Sequence, residues 1–330
     1  MKFKVEKIGV VIHLKKIRSY SMEVQNVIKV NNLTKDYGSS RGVFNISFDV
    51  RKGEVFGFLG PNGAGKTTAI RHLLGFIKPQ SGSTEIAGMD SWKEPSEIQK
   101  LLGYVPGEIA FPSNMTGWQF IKQVADMRNM KDLLPAEELC KYFTLDPRGE
   151  LKRMSKGMKQ KIALVIAFMH NPEIIILDEP TSGLDPLMQE KFCELIKKER
   201  EKGKTILMSS HMFDEVEKTC DRVAIIKQGK IISEIKIKEI EHKTDKEFEI
   251  RFKTKKDAEK FMKEELQFTE KNLAKNRVKA IILDEKINEF FKLITNYKVE
   301  YIREIPFTLE KYFMKFYKEE KDSDEKQVVL

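Results

Sequence analysis

The feature that most limits the fold is a glycine-rich stretch, Gly60-Pro61-Asn62-Gly63-Ala64-Gly65-Lys66-Thr67-Thr68. It matches G-x-x-x-x-G-K-[ST], the pattern of a phosphate-binding P-loop. The five apolar residues before it, 55–59, are typical of a buried strand, and residues 68–74 after it are typical of a helix. This order aims loop N–H groups and the positive end of a helix at one anion. The sequence therefore predicts an α/β fold with a nucleoside triphosphate site.

The residue types of the loop explain how it would bind phosphate. Glycines let the backbone turn tightly enough for several N–H groups to converge. Lys66 would place its ammonium against the terminal phosphates, and the Thr67 hydroxyl could ligate Mg²⁺. The expected nucleotide-binding residues of the loop are Asn62, Gly63, Ala64, Gly65, Lys66, Thr67 and Thr68.

Length and composition limit the class of protein. The chain has 330 residues, enough for one large α/β domain and a small one. No run approaches the roughly 18 apolar residues of a membrane span, so a role in transport would require a pore from another chain. The three cysteines, Cys140, Cys193 and Cys220, show no CxxC spacing. They favour a reducing compartment and neither a disulfide framework nor a zinc site.

The net charge of +9 is unevenly distributed, because residues 1–21 carry six basic residues against Glu6, a local charge of +5. The remaining residues carry only +4. Residues 1–24 are therefore set apart as a basic N-terminal extension. Such a segment could rest on an anionic membrane surface. Alternatively, the natural chain starts at Met22, which is the interpretation that we favour.

A second candidate part of the site follows an apolar run, residues 174–177, which is typical of a central parallel strand. The run ends in Asp178 and Glu179, and open α/β sheets bind ligands at this end of their strands. Asp178 is suited to hold Mg²⁺ through water, and Glu179 to polarise an attacking water. Acidic pairs also occur in ordinary solvated loops, but this one follows Lys66 by 112 residues in a chain that carries a P-loop.

Further motifs stand in a fixed order around these two elements. They are residues 154–160 (MSKGMKQ), 181–185 (TSGLD), 209–211 (SSH) and the aromatic Tyr37. In this order and spacing the chain resembles the ATP-binding cassette (ABC) ATPase family over about residues 25–235. The resemblance implies a P-loop NTPase fold with a mixed sheet core, an antiparallel β subdomain and a helical subdomain at about 108–160.

The resemblance also implies a mechanism. Two copies of the chain would meet head to tail around two ATP molecules, each with Mg²⁺. Ser155 and Gly157 of one copy would contact the γ-phosphate held by the other, and Asp185 would lie in the D-loop between them. Glu179 would orient water, while His211 would sense the γ-phosphate.

Two of these positions have weaker support from the residues alone. Tyr37 occupies the place of the aromatic residue that stacks on adenine, although a tyrosine near a strand is commonly a packing residue. A single histidine such as His211 is often an ordinary surface residue. Its place directly after an apolar strand favours the functional interpretation.

Two departures from the family pattern affect the site. The family's signature is usually Leu-Ser-Gly-Gly-Gln; here Ser155 and Gly157 are kept, while Met154, Lys156 and Met158 are substitutions. The metal-sensing glutamine is also replaced, because Gly107 stands in its place and Glu108 follows. Either Glu108 takes over the metal contact or it is a solvated loop charge.

The C-terminal part of the chain differs in pattern. After about residue 240, Phe248, Ile250 and Phe252 alternate with polar residues as in a half-buried strand. We divide the chain into a nucleotide-binding domain at 25–240, a small α+β accessory domain at 241–317 and a charged tail at 318–330.

The single cassette and the variant motifs resemble the ATPase subunits of bacterial ABC-2-type exporters. This resemblance implies a permease on a separate chain and a cytoplasmic location, peripheral on the inner face of the membrane.

An alternative is a soluble ABC ATPase acting on the ribosome or on nucleic acid. Translation factors of the family carry two cassettes, and DNA-repair members carry a long coiled-coil insertion, so we expect no nucleic-acid partner. A binding module with degenerate sites is a third alternative, which the intact Lys66, Asp178 and Glu179 disfavour.

Overall fold

The computed structural model describes residues 25–241 and 244–314. The predicted basic extension and charged tail lie outside these residues. The described strands form three separate sheets. The strands are β1 (Asn26–Asp36), β2 (Gly42–Arg51), β3 (Val55–Leu59), β4 (Ser81–Ile86), β5 (Met89–Asp90), β6 (Leu102–Val105), β7 (Ile174–Asp178), β8 (Thr205–Ser210), β9 (Arg222–Lys227), β10 (Lys230–Lys236), β11 (Asp245–Phe252), β12 (Gln267–Asn272), β13 (Arg277–Leu283) and β14 (Val299–Ile305).

Helices cover the sheets and connect the parallel strands. They are α1 (Lys66–Leu73), α2 (Pro95–Leu101), α3 (Gly117–Met127), α4 (Leu134–Tyr142), α5 (Lys156–Phe168), α6 (Pro186–Glu201), α7 (Phe213–Thr219), α8 (Ile237–Glu241), α9 (Lys255–Phe261) and α10 (Ile287–Ile294). Residues 309–314 are also helical. Helix α1 begins at Lys66, two residues before the predicted start and directly after Gly65, whose φ of 109° lies outside the helical region.

The central sheet has the strand order β10-β9-β3-β8-β7-β6. Strands β9, β3, β8, β7 and β6 are parallel, and β10 pairs antiparallel with β9. Successive residues of a strand point to opposite faces, so Leu177 packs in the core beneath α5 and α6 while Ile176 packs on the other side of the sheet. Because these strands are parallel, the carboxyl ends of β3, β7 and β8 lie at the same end of the sheet.

The second sheet, in the order β2-β1-β4-β5, is antiparallel and packs over α1. Strand β2 buries Ile46, Phe48 and Val50, which alternate with residues that are exposed or half-buried. The ring of Phe48 stacks on Phe56 of β3 at 5.5 Å. This contact joins the antiparallel sheet to the strand that carries the P-loop.

Helices α3 and α4 pack on α5 around a core of their own and form the helical subdomain. Helix α3 starts at a capping box formed by Thr116 and Gln119. Residues 143–150 between α4 and α5 are not helical, and Thr144, just after the end of α4, has a left-handed φ of 51°. Helix α5 begins at Lys156, where Ser155 caps it.

Residues 245–305 form a β-α-β-β-α-β unit whose four antiparallel strands have the order β12-β13-β11-β14, a ferredoxin-like arrangement. The unit has its own apolar core, centred on Phe248, Ile250 and Phe252. Helix α8 and residues 309–314 connect it to the main core, because Ile240 and Leu309 are buried there. This confirms the predicted fold class, a mixed sheet with antiparallel and helical subdomains and an α+β appendage.

Candidate active site

The P-loop leaves the end of β3 and wraps around the start of α1. Gly63 and Gly65 have positive φ angles of 79° and 109°, which residues other than glycine rarely adopt. A Cβ atom at Gly60 would lie 2.3 Å from the carbonyl oxygen of Ile226. Sterics at these positions therefore require glycine, and the loop can close tightly over the N-terminus of α1.

Lys66 lies at the centre of the loop and is only 5% exposed. Its ammonium donates to the carbonyl oxygens of Gly60 at 2.6 Å and Pro61 at 3.1 Å. The same Nζ atom lies 3.0 Å from Oε1 of Glu179. The lysine is thus held across the loop, with its ammonium between two loop carbonyl oxygens and the Glu179 carboxylate.

Glu179 connects the P-loop to the residues at the end of β8. Its backbone has a φ of 51°, an uncommon value for a residue with a side chain, and its N–H donates to Ser209 Oγ at 3.1 Å. Its Oε2 atom lies 2.6 Å from Nδ1 of His211. Because its other carboxylate oxygen faces Lys66, one side chain spans the P-loop and the histidine that follows β8.

Asp178 is fully buried beside Glu179. Its Oδ1 accepts a hydrogen bond from Ser209 Oγ at 2.6 Å. Burial raises the pKa of Asp178, and the nearby hydroxyls of Ser209 and Thr67 act against that shift. Oδ2 is buried without a hydrogen-bond partner among the described residues. A carboxylate with an unpaired oxygen beside a threonine hydroxyl is a donor set that suits Mg²⁺.

Gly107 lies next to this unpaired oxygen, since a Cβ atom at position 107 would stand 2.9 Å from Asp178 Oδ2. Glu108, the alternative metal ligand suggested by the sequence, is exposed and is not among the residues that line the nucleotide cleft. The backbone of residue 107, rather than the side chain of residue 108, is what the structure brings to Asp178.

A cleft of 580 Å³ opens above the P-loop. It is lined by Tyr37, Arg41, Gly42, Asn62, Gly63, Ala64, Gly65, Lys66, Thr67, Thr68 and Glu179. Tyr37 is 47% exposed at the mouth, and Lys35 Nζ lies 5.6 Å from the centre of its ring. An exposed aromatic ring and a basic rim fit a base and the phosphates of a nucleotide. Arg41 and Gly42, the residue before β2 and its first residue, were not identified from the sequence, because no motif marks this stretch.

Comparisons with known proteins agree with this geometry. The family described as ABC transporter matches residues 43–182. The bacitracin transport ATP-binding protein BcrA of Bacillus licheniformis is 38% identical over 64% of this chain and 70% of its own length. An uncharacterized ABC transporter ATP-binding protein of Methanocaldococcus jannaschii, MJ1023, is 34% identical over 83% of this chain and 96% of its own.

The chain belongs to the ABC transporter ATP-binding proteins. It is an ATPase subunit that binds and hydrolyses ATP. Two solved structures share its fold: an ATP-binding subunit of an ABC transporter (TM-score 0.59, 29% identity, 65% of this chain and 91% of that one) and the dimeric cassette MJ0796 (TM-score 0.58, 25% identity, 64% and 98%). Within residues 25–241 and 244–314, no helix has the length and apolar character to cross a bilayer.

The signature and D-loop residues of this ABC cassette lie away from its own nucleotide cleft. Ser155 is exposed and its Oγ accepts from Met158 N–H at 3.2 Å. Gly157 packs so closely that a Cβ there would lie 2.7 Å from the Gly183 carbonyl oxygen. Asp185 is exposed and caps α6. One chain does not bring Ser155, Gly157 and Asp185 to its own P-loop.

Several polar residues of the cassette support the site but carry no motif of their own. Gln160, buried on α5, donates to the Pro180 carbonyl oxygen at 2.7 Å and so ties the signature helix to the segment after Glu179. Ser209 holds both Asp178 and Glu179. In the sequence, Ser209 could have been recognised by its place two residues before His211. Gln160 could have been recognised only by its place in the stretch 154–160.

Proposed function

We propose that this ATPase drives export through a membrane permease on a separate chain, with two copies of the cassette closing around two ATP molecules. The contact chain from Lys66 through Glu179 to His211 carries the proposal. It joins a cation and a carboxylate that line the cleft to an imidazole, through contacts of 3.0 Å and 2.6 Å.

The roles of the residues follow from their positions. Lys66 and the loop N–H groups would bind the β- and γ-phosphates and offset the charge that develops in the transition state. Glu179 would orient the attacking water, because it is the one carboxylate among the residues lining the cleft. His211 would hold Glu179 on its far side and contact the γ-phosphate. Tyr37 would stack on the base.

Mg²⁺ fits the donor set beside the cleft. Thr67 and Asp178 would hold it, since the carboxylate has a buried oxygen without a hydrogen-bond partner among the described residues. Bound there, the ion would neutralise phosphate charge. Because Glu108 is exposed, we assign it no ligand position and leave its contribution to the mutational test given in the Discussion.

The pairing of two copies is supported by the exposure of Ser155 and Asp185, neither of which is among the residues that line the cleft of their own chain. Helix α5 starts at Lys156 and would direct its positive end toward the phosphate held by the other copy. The related cassette MJ0796 has been solved as a dimer, which also favours this arrangement.

The direction of transport and the partner are inferred from relatives. Their names describe bacitracin transport and linearmycin resistance, which favours export of a drug or peptide. The cassette would then lie on the cytoplasmic face of the membrane, held by its permease, and no nucleic acid would take part.

A mild-detergent pull-down of the tagged chain from its own cells tests the proposal. A polytopic membrane protein recovered in equal amount, together with ATPase activity of the complex, is the expected result. Recovery of ribosomes or nucleic acid in place of a membrane protein would contradict the exporter assignment.

A further inference from the structure

One buried carboxylate near the active site has no part in the roles assigned above. Glu215 lies on α7, four residues after His211, and is 4% exposed. Ser210 Oγ donates a hydrogen bond to Glu215 Oε2 and accepts one from Met212 N–H at 2.9 Å. These two bonds run across the loop that carries His211 and connect its two sides to the same carboxylate.

The segment after the catalytic acid reaches the same point. Thr181 follows Glu179 by two residues and is 3% exposed. Its hydroxyl lies beside the Glu215 carboxylate and lowers the pKa of that group, and it also points toward Met212 Sδ at 3.9 Å. The end of β7 and the end of β8 therefore converge on one side chain beneath the site.

We propose that Glu215 is a positioning residue for ATP hydrolysis: through Ser210 and Thr181 it holds the His211 loop against the segment that carries Glu179. The proposal rests on the hydrolytic roles proposed for Glu179 and His211. Glu215 itself does not touch the nucleotide cleft, since it is not among the residues that line it. Its effect would be exerted through the 2.6 Å contact between His211 Nδ1 and Glu179 Oε2.

The ionisation of Glu215 supplies an independent readout. Burial raises its pKa to about 7, and the negative charge of Glu179 adds to the shift, while the hydroxyls of Ser210 and Thr181 and the imidazole of His211 lower it. Cys193 of α6 and Cys220 after α7 are titratable groups that also lie near this carboxylate. The anionic form offers acceptors to both hydroxyls, so we expect hydrolysis to be faster when Glu215 is ionised.

The test compares four variants of the full-length chain: Glu215→Ala, Glu215→Gln, Glu179→Gln and Asp214→Asn. Asp214 is the matched control, because it is an exposed carboxylate on the same helix. For each variant, the ATP dissociation constant, kcat and KM would be measured from pH 5.5 to 8.5.

We expect Glu215→Ala to lower kcat by up to about 100-fold, as small displacements of catalytic groups do, with ATP affinity and KM little changed. Glu215→Gln keeps an acceptor for Ser210 and should fall between the parent and the alanine variant. Glu215→Gln should also lack the rise of kcat through pH 7 that we expect of the parent. Asp214→Asn should match the parent in both respects.

The result that overturns the inference is a parental kcat for Glu215→Ala, or an equal loss of ATP affinity, which would indicate a structural role only. If the alanine variant does not fold, an unchanged pH profile in Glu215→Gln overturns it. The Glu179→Gln variant separates the two proposals. If Glu179→Gln is fully active, the proposed mechanism is contradicted. If Glu179→Gln is inactive while Glu215→Ala is fully active, only the inference about Glu215 is contradicted.

Discussion

At the residue scale, Glu179 stands out because two kinds of restraint act on it. Its left-handed backbone costs of order 1 kcal/mol or more, and such strain persists where the surroundings hold it in place. Here Ser209 holds the N–H, and Lys66 and His211 hold the two carboxylate oxygens. A side chain fixed at both ends is prepared to orient a water molecule without further rearrangement.

Replacing Glu179 by Gln should leave ATP binding intact and slow hydrolysis by about 10²–10⁴-fold, the usual effect of losing a positioned base. This corresponds to roughly 3–5 kcal/mol of activation barrier. Phosphate release and size-exclusion chromatography with Mg²⁺ and ATP would show an inactive dimer. Glu190→Gln, at an exposed position on α6, is the control, and a parental rate in Glu179→Gln would rule out this base.

Replacing Lys66 by Ala should instead weaken the binding of ATP itself. Lys66 is buried and lines the cleft above the P-loop, so its loss should remove a charge-assisted contact to phosphate. Isothermal titration calorimetry on the parent and the variant would measure the difference. Equal dissociation constants would show that Lys66 does not contact the phosphates.

The buried carboxyl of Glu215 should make folding stability depend on pH. Its pKa is raised from 4.5 to about 7, so between these values the folded protein retains a proton that the unfolded chain has lost. The free energy of unfolding should therefore fall as pH rises from 4.5 to 7, by about 3 kcal/mol in all. Urea unfolding at several pH values would measure this, and Glu215→Gln should flatten the dependence. A Gln variant with the parental slope would assign the dependence to other groups.

At the element scale, the close approach of the segment after β6 to the end of β7 decides the geometry of the metal site. Asp178 is held by Ser209 and Thr67 on one side. On the other side Gly107 leaves room for its unpaired oxygen, where a Cβ would stand 2.9 Å away. The absence of a side chain at 107 therefore determines how freely Asp178 can reach a metal ion.

We expect Gly107→Ala to displace the Asp178 carboxylate and to raise the Mg²⁺ concentration needed for half-maximal ATPase activity. ATP binding without Mg²⁺ should change little, since the P-loop is not touched. Glu108→Gln is the informative neighbour: an unchanged Mg²⁺ requirement fits its exposed position, and an increased requirement would identify Glu108 as a ligand. An unchanged requirement in Gly107→Ala would contradict the steric argument.

At the scale of the whole molecule, the accessory unit is attached to the cassette at two places, α8 and residues 309–314. Leu309 is fully buried in the main core, and the Phe313 ring meets the Phe213 ring edge-on at 5.0 Å. Tyr312 OH and Ser233 Oγ are 2.8 Å apart. Because Phe213 begins α7, the last described helix packs on the element that carries Glu215.

Phe313→Ala should destabilise the chain by about 3 kcal/mol, the lower end of the range for a buried phenylalanine, by weakening the attachment of the accessory unit. Met314→Ala is the control, because Met314 is 46% exposed. Calorimetric unfolding would show a lower transition temperature for the first variant only. Equal transition temperatures for the two point variants would refute the anchoring role of Phe313. Separately, truncation after about residue 240 would show whether dimerisation depends on the accessory unit.

Local patterns determined much of this protein. The α/β class, the P-loop and the acidic end of a buried strand follow from glycine positions and apolar runs, which act over a few residues, whereas the antiparallel and helical subdomains were implied by the resemblance to the ABC family. Strand β12 was not predicted, because Gln267–Asn272 is a polar edge strand whose residues alternate only between exposed and half-buried.

Tertiary structure alone decided which side chains meet. Lys66, Glu179 and His211 follow three different strands, and only the order of those strands in the sheet brings them into contact. The burial of Glu215 and the closeness of Gly107 to Asp178 likewise arise from packing between elements distant in the chain. A sequence pattern reports the face on which a residue lies, whereas the distance between two side chains depends on how whole elements pack.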